Sequence, residues 1–228
     1  MKAPLVIRPV APIPVTRRPL AFMHMPRTGG TSISAAIDQR YGDKAFRVKS
    51  TSGDLAEIAA MVPRGVEVIH GHMNYGLHRH LPVRYATLLR DPVERCVSHY
   101  QLYCKQRRNR REEPVPFNQF LDSKFARNLQ CRFLAGVMST YVPAPELFAR
   151  AKYNLARFEI VGFFDDLEGF AQRLGIEGPL PRLNGELANF EPTDEERDFA
   201  RERNATGYEL YDWAREHFLS PHRDAKAA

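Results

Sequence analysis

The sequence has no apolar run approaching the roughly 20 residues of a membrane-spanning helix. It has no CxxC pair, and its three cysteines, Cys96, Cys104 and Cys131, make an odd count. That argues against a disulfide framework and fits a reducing compartment. The opening stretch, MKAPLVIRPVAPIPVTRRP, is interrupted by prolines and arginines and lacks a continuous apolar segment. The expectation is therefore no signal peptide, no stable membrane insertion and a cytoplasmic location. The pattern GxxxxGK[ST] is also missing, which disfavours a nucleoside triphosphatase. Neither charge sign is scarce. Lys and Arg total 33 against 27 Asp and Glu, giving a net charge of +6 that points to an anionic ligand. With 43% hydrophobic and 26% charged residues, wholesale disorder is excluded. A chain of 228 residues buries about 70% of its unfolded surface and needs no staple.

Five prolines between positions 4 and 19 give an extended arm over residues 1–19. A single domain is expected over 20–220 and a flexible tail over 221–228. The domain opens with a short apolar strand, Pro19 to Met25. Pro26-Arg-Thr-Gly-Gly-Thr-Ser32 follows as a loop, and Ile33 to Tyr41 has helical spacing, stopped by Gly42. Further along, Leu55–Met61 is a helix, and Val66–His70 and Arg84–Arg90 are strands. Asp91, Pro92 and Glu94 supply an N-cap, a first-turn proline and a capping box for a helix reaching at least Tyr103. Phe158–Phe164 is a late strand, and Asp165 with Glu168 forms a second capping box. Residues 182–193 form a loop, and 194–218 are helical with a break near Gly207. Strands alternating with helices predict an α/β fold. The expected form is a three-layer sandwich with a central parallel sheet and a P-loop-like, phosphate-binding strand-loop-helix.

That loop is the first candidate site. Gly29 and Gly30 let backbone approach a ligand, and the helix behind them aims unpaired N–H groups and the positive end of its dipole at the loop. Thr28, Thr31 and Ser32 add hydroxyls, and Arg27 adds a fixed charge with a planar fork. Arg90 closes a strand at the edge where open α/β sheets bind ligands, although an arginine there can also pair with Asp91 or Glu94. Ser98 lies inside the following helix. His70-Gly71-His72 closes the Val66 strand, and residues two apart share a face, so both imidazoles are candidates for one pocket. Buried structural histidines are an equally physical reading. His78 and His80 lie near enough to suggest zinc, but no third ligand at fixed spacing accompanies them, so no metal is expected. His24 is expected to pack. The run Lys105 to Arg111 is expected to be a solvated helix end that also steers anions. It lacks the aromatic interleaving of a nucleic-acid surface, so no nucleic-acid partner is expected.

Met23-His-Met-Pro-Arg-Thr-Gly-Gly-Thr-Ser-Ile33 and Thr87-Leu-Leu-Arg-Asp-Pro-Val-Glu-Arg-Cys-Val-Ser-His-Tyr100 together resemble two motifs of the sulfotransferases that use 3′-phosphoadenosine 5′-phosphosulfate (PAPS). The resemblance is to the branch of the heparan sulfate 2-O- and 6-O-sulfotransferases and their bacterial relatives. Weaker similarity occurs at Asn128 to Gly136, Ile160 to Gly162 and Asn204 to Phe218. In that family a PKTGGTS loop wraps the 5′-phosphosulfate, which implies that role for Arg27 through Ser32. The RDPxxRxxSxY motif reads the 3′-phosphate, which implies that role for Arg90 and Ser98. An HGH like that of the 2-O-sulfotransferases implies His72 as general base, with His70 assisting. Arg27 stands where the family usually has lysine; it keeps the charge and cannot give up its proton.

The resemblance thus implies sulfuryl transfer from PAPS to an acceptor hydroxyl, on a glycan or a small molecule, releasing adenosine 3′,5′-bisphosphate (PAP) without a metal. The segment from Asn184 to Phe190 is placed to close over the cofactor. Two other classes stay compatible with the residues: a magnesium-dependent nucleotide kinase on a similar loop, and a non-catalytic anion- or glycan-binding module. The oligomeric state is open.

Overall fold

Parallel strands cannot be joined by hairpins; each connection must cross the sheet, and the crossing helices bury its two faces. The computed structural model describes residues 18–49, 54–181, 183 and 187–219. Five strands, β1 (Leu20–Met23), β2 (Ala45–Val48), β3 (Val68–Gly71), β4 (Arg84–Leu89) and β5 (Ile160–Phe163), form one parallel sheet in the order β2-β3-β1-β4-β5. Among the described residues the helices are α1 (Gly30–Tyr41), α2 (Leu55–Met61), α3 (Pro92–Asn109), α4 (Phe117–Leu121), α5 (Leu129–Ala135), α6 (Ala144–Leu155), α7 (Leu167–Arg173), α8 (Asp194–Arg203) and α9 (Ala205–Leu219).

Side chains alternate across the sheet as the period of two requires. Leu20, Phe22, Val68, Ala86 and Leu88 pack against Ile33 and Ile37 of α1 and Phe170 of α7. Ala21, Met23, Ile69, Leu89 and Phe163 pack against α5, α6 and α9. These are the three layers expected from sequence. A separate apolar cluster ties α3 to α4 and α8 through Val97, Tyr100, Phe117, Phe120 and Ala200.

The chain leaves β1 toward β2 on one side of the sheet and leaves β4 toward β5 on the other. The loops after these adjacent strands therefore diverge and open a crevice at their carboxyl ends.

Several local expectations need correction. Helix α1 begins at Gly30, three residues before Ile33, because Gly29 takes a left-handed φ of 87° and acts as its N-cap. Asp166, not Asp165, caps α7, its carboxylate accepting from the Gly169 amide at 3.0 Å. Asp165 instead binds Arg215. Asp91 caps α3 as expected, but Glu94 does not complete the box; its carboxylate takes Arg197 at 2.8 Å. The capping box at the end of the 182–193 loop is Thr193 with Glu196. The break between α8 and α9 falls at Asn204, three residues before Gly207. Most of the N-terminal arm, the tail 221–228 and residues 184–186 of the segment expected to close over the site lie outside the described residues.

Asn204 is buried where α8, α9 and α5 meet. Its Nδ2 donates to the Ala200 carbonyl, and its Oδ1 accepts from the Asn128 amide at 2.8 Å. Asn128 returns the link by accepting from the Gly207 amide at 3.0 Å. Asn204→Ala removes the acceptor of one backbone donor and the partner of another group, and is expected to cost about 2 kcal/mol. A urea midpoint equal to wild type would refute that role.

Candidate functional site

The loop after β1 turns on two constraints. Gly30 has no room for a side chain: a Cβ there would lie 2.1 Å from Cδ2 of His24. Arg27 itself takes a positive φ of 69°, a conformation uncommon for a side-chain-bearing residue outside turns and sites. No side chain caps α1, and its first turn carries no acidic residue. Its orphan N–H groups and positive dipole end are left to whatever occupies the crevice.

A cavity of about 360 Å³ fills that crevice, lined among others by Arg27, Gly29, Thr31, His72, Arg90 and Ser98. A second, of about 320 Å³, shares Arg27 and Thr31 and runs along α3 past Leu102, Lys105, Gln106 and Asn109. A larger hollow of about 830 Å³ opens at the opposite edge of the sheet, around Pro19, Tyr41 and Arg84, away from both motifs.

The two motifs meet in the first cavity. Arg27 donates to the Ser98 hydroxyl through Nε at 3.0 Å and Nη2 at 2.8 Å. Arg90 donates from Nη1 to the Arg27 carbonyl at 3.3 Å, and its guanidinium lies 4.1 Å above the Phe164 ring. The Gln130 side chain fixes the Arg90 backbone from both sides, accepting from its amide at 3.0 Å and donating to its carbonyl at 2.7 Å. Arg90 does not pair with its neighbours: Asp91 caps α3 and accepts from Tyr208, and Glu94 holds Arg197. The Arg90 Nε is buried and has no hydrogen-bond partner among the described residues. Burial lowers the proton affinity of both arginines; Arg95 lowers Arg27 further, and on Arg90 the pull of Glu94 and Asp91 is set against the repulsion of Arg27 and Arg95. The arrangement is a set of desolvated positive charges with spare donors, suited to a polyanion.

Thr28, Gly30 and Ser32 belong to the loop but do not line the cavity. The Thr28 hydroxyl is buried and donates to the Met25 carbonyl at 2.9 Å, so it braces the turn instead of offering itself to a ligand. Ser32 is buried in the first turn of α1.

The two histidines of the HGH sequence separate. His70 lies within the sheet, fully buried, with Nε2 2.9 Å from an Asp38 carboxylate oxygen on α1. It is not among the residues that line the cavity; the alternation of the strand gives the face a side chain takes but not its depth. His72 lies past the end of β3 and lines the cavity. Its Nδ1 is 2.8 Å from the His24 carbonyl. A carbonyl only accepts, so Nδ1 carries the proton and Nε2 keeps its lone pair. The ring lies against His24, tilted by 32°, with centroids 4.3 Å apart. Burial pushes His72 below the usual histidine range, so it is neutral at pH 7. His24 packs beneath the loop as expected, pushed down to about 3 by burial and by neighbouring His72, His70 and arginines.

Phe164 and His99 are among the cavity residues that sequence does not single out. Phe164 gives Arg90 its aromatic floor, and its only signal was a place at the end of β5. His99 was in plain view beside Ser98, but its partner, the Phe125 carbonyl at 3.1 Å, is 26 residues away. Among the described residues no group of three or more His, Cys, Asp or Glu could hold a metal ion. Nor is any described helix long and apolar enough to cross a membrane.

No protein-family model matches this chain, and no curated protein matches it in sequence. Among solved structures it is similar to mouse sulfotransferase SULT7A1 complexed with PAP, with 13% identity and a TM-score of 0.46, over 86% of this chain and 65% of that one. This chain therefore spans slightly less than two thirds of the mouse protein's length.

His24 and His99 are both held near a pKa of about 3, against about 6.5 in an unfolded chain. A depressed pKa means that the unfolded state binds more protons, so this stability is complete above pH 6.5 and is lost as pH falls toward 3. Urea midpoints are expected to drop between pH 6.5 and 4, less steeply in His24→Met. Parallel slopes in the two proteins would contradict the assignment.

Proposed function

We propose that this protein is a sulfotransferase that moves a sulfuryl group from PAPS to an acceptor hydroxyl, on a carbohydrate or a small metabolite, in the manner of the heparan sulfate branch. The observation that carries the reading is the meeting of Arg27 with both Ser98 and Arg90. Two motifs about 70 residues apart in sequence deliver three groups of the right chemistry to one cavity. The Arg90 Nε, without a partner among the described residues, and the uncapped start of α1 fit a ligand with two separated phosphate groups. PAPS supplies the activated sulfuryl group and a phosphate leaving group.

His72 has the tautomer the reaction needs. Its Nε2 accepts the acceptor's hydroxyl proton, and the His24 carbonyl steadies the Nδ1–H as positive charge builds on the ring. The acceptor oxygen bonds to sulfur as the bond from sulfur to the 5′-phosphate oxygen breaks, and PAP departs. The backbone donors at the start of α1 and the Arg27 guanidinium stabilise negative charge on that oxygen. For Arg27 this requires exchanging Ser98 for the leaving oxygen, while Ser98 turns with Arg90 to the 3′-phosphate. The second cavity, which shares Arg27 and Thr31 with the first, has room for the nucleoside.

A thermal-shift titration tests the cofactor. PAP is expected to stabilise the wild type by about 2.7 kcal/mol at 100 times its dissociation constant. AMP and ATP with magnesium should do far less, and Arg90→Ala should abolish the PAP shift. Stabilisation by ATP with magnesium, or by none of the three, would favour a kinase or a binding module instead. His72→Ala is expected to keep the PAP shift while slowing transfer of ³⁵S-labelled sulfuryl groups by about 10²- to 10⁴-fold. Transfer at the wild-type rate would remove His72 as base.

A further inference from the structure

His99 lines the same cavity as His72, and the fold holds the two imidazoles alike. Its Nδ1 lies 3.1 Å from the Phe125 carbonyl, which also accepts from Arg95 Nη1 at 3.2 Å. Arg95 Nη1, which can only donate, also lies 3.4 Å from Nδ1, but the carbonyl is the nearer partner and cannot donate, so Nδ1 carries the proton and the lone pair is on Nε2. The ring is wedged edge-on between Phe120 at 5.6 Å and Phe125 at 6.0 Å. Arg95, buried on the same helix, secures the Phe125 segment by donating to the Ala126 carbonyl at 2.9 Å. Burial, Arg95, Arg27 and His72 all disfavour a proton on His99, which is pushed down to about 3.

A neutral nitrogen lone pair repels phosphate oxygens, so this edge of the cavity is built for a hydrogen-bond donor. In sulfuryl transfer the donor-bearing molecule is the acceptor. Its reacting hydroxyl has one proton, and that proton goes to His72. We propose that His99 positions the acceptor: its Nε2 receives a second hydrogen bond, from an O–H or N–H of the acceptor other than the one that reacts. Acceptors that carry a second donor are then favoured over those with a single hydroxyl.

This inference rests on the sulfuryl-transfer reading, and the experiment separates the two. PAP binding is measured first; if PAP fails to stabilise the wild type, the transfer reading falls and this inference with it. In a protein that binds PAP, transfer from ³⁵S-labelled PAPS to 1-propanol and to 1,2-propanediol is compared. The wild type is expected to favour the diol in kcat/KM by about tenfold, the worth of one hydrogen bond. His99→Phe, which keeps the ring packing, is expected to bring the ratio close to one by raising KM for the diol, with PAP affinity within twofold of wild type. His99→Gln, whose side-chain oxygen can accept, is expected to restore part of the preference. Equal use of the two alcohols by the wild type, transfer to neither, an unchanged ratio in His99→Phe, or loss of PAP affinity in step with the ratio each overturns the proposal. If His99→Phe does not fold, an unaltered ratio in His99→Ala does the same.

Discussion

Arg27 and Arg90 sit half-buried side by side at the carboxyl edge of the sheet, and neither is ion-paired with a carboxylate among the described residues; Glu94 and Asp91 act on Arg90 only at longer range. Their repulsion, deepened by burial, is tolerated because the surrounding groups are lone pairs of neutral oxygen: the Ser98 hydroxyl, the Arg27 carbonyl and the π face of Phe164. An acidic partner at any of these places would stabilise the free protein and weaken its hold on an anion. Much of the local structure keeps acids elsewhere. Asp91 and Asp166 are spent on helix caps, Asp165 on Arg215 and Glu94 on Arg197.

The same economy extends to Arg95 and Arg132, two guanidiniums with almost no exposed surface. Both are paired with backbone oxygen. Arg95 takes Phe125 and Ala126, and Arg132 takes Lys124, Arg127 and Met138. Between them they pin the chain from 124 to 127 without cancelling charge. A buried cation bonded to carbonyls is satisfied as a donor yet keeps its long-range field. Arg95's field reaches Arg27, Arg90 and His99, and adds to burial in keeping the imidazole neutral. It binds the structural and chemical parts of the site into one electrostatic unit.

What could be read from sequence divides by range. The strand-loop-helix around Gly29 and Gly30, the Asp91 cap and helix α2 rest on neighbours a few residues apart, and all were legible. The short edge strand β2 was not, because only Val48 of its four residues is buried. Helices α4 and α6 were not assigned either. In the site, the convergence of Arg27 and Ser98 on one ligand is implied by family resemblance and not by any local pattern, and their direct contact by neither. The depth of His70 and the part played by His99 depended on Asp38 and the Phe125 carbonyl, at 32 and 26 residues' remove. Asp165 and Asp166 differ by one position, and only backbone geometry decides between them.

Strand β1 occupies the middle of the sheet, and its partners come late. Leu20 pairs with Val68 on one side and Arg84 on the other. During synthesis the strand is made first and must wait for about 50 to 65 further residues before either edge is closed. Until then Leu-Ala-Phe-Met is an open apolar ribbon, the kind of segment that pairs with the wrong chain. Loop-closure entropy is spent before any of these contacts forms, so folding is slow for a chain of this length. Newly made copies therefore depend on crowding and chaperone supply more than the finished sheet does.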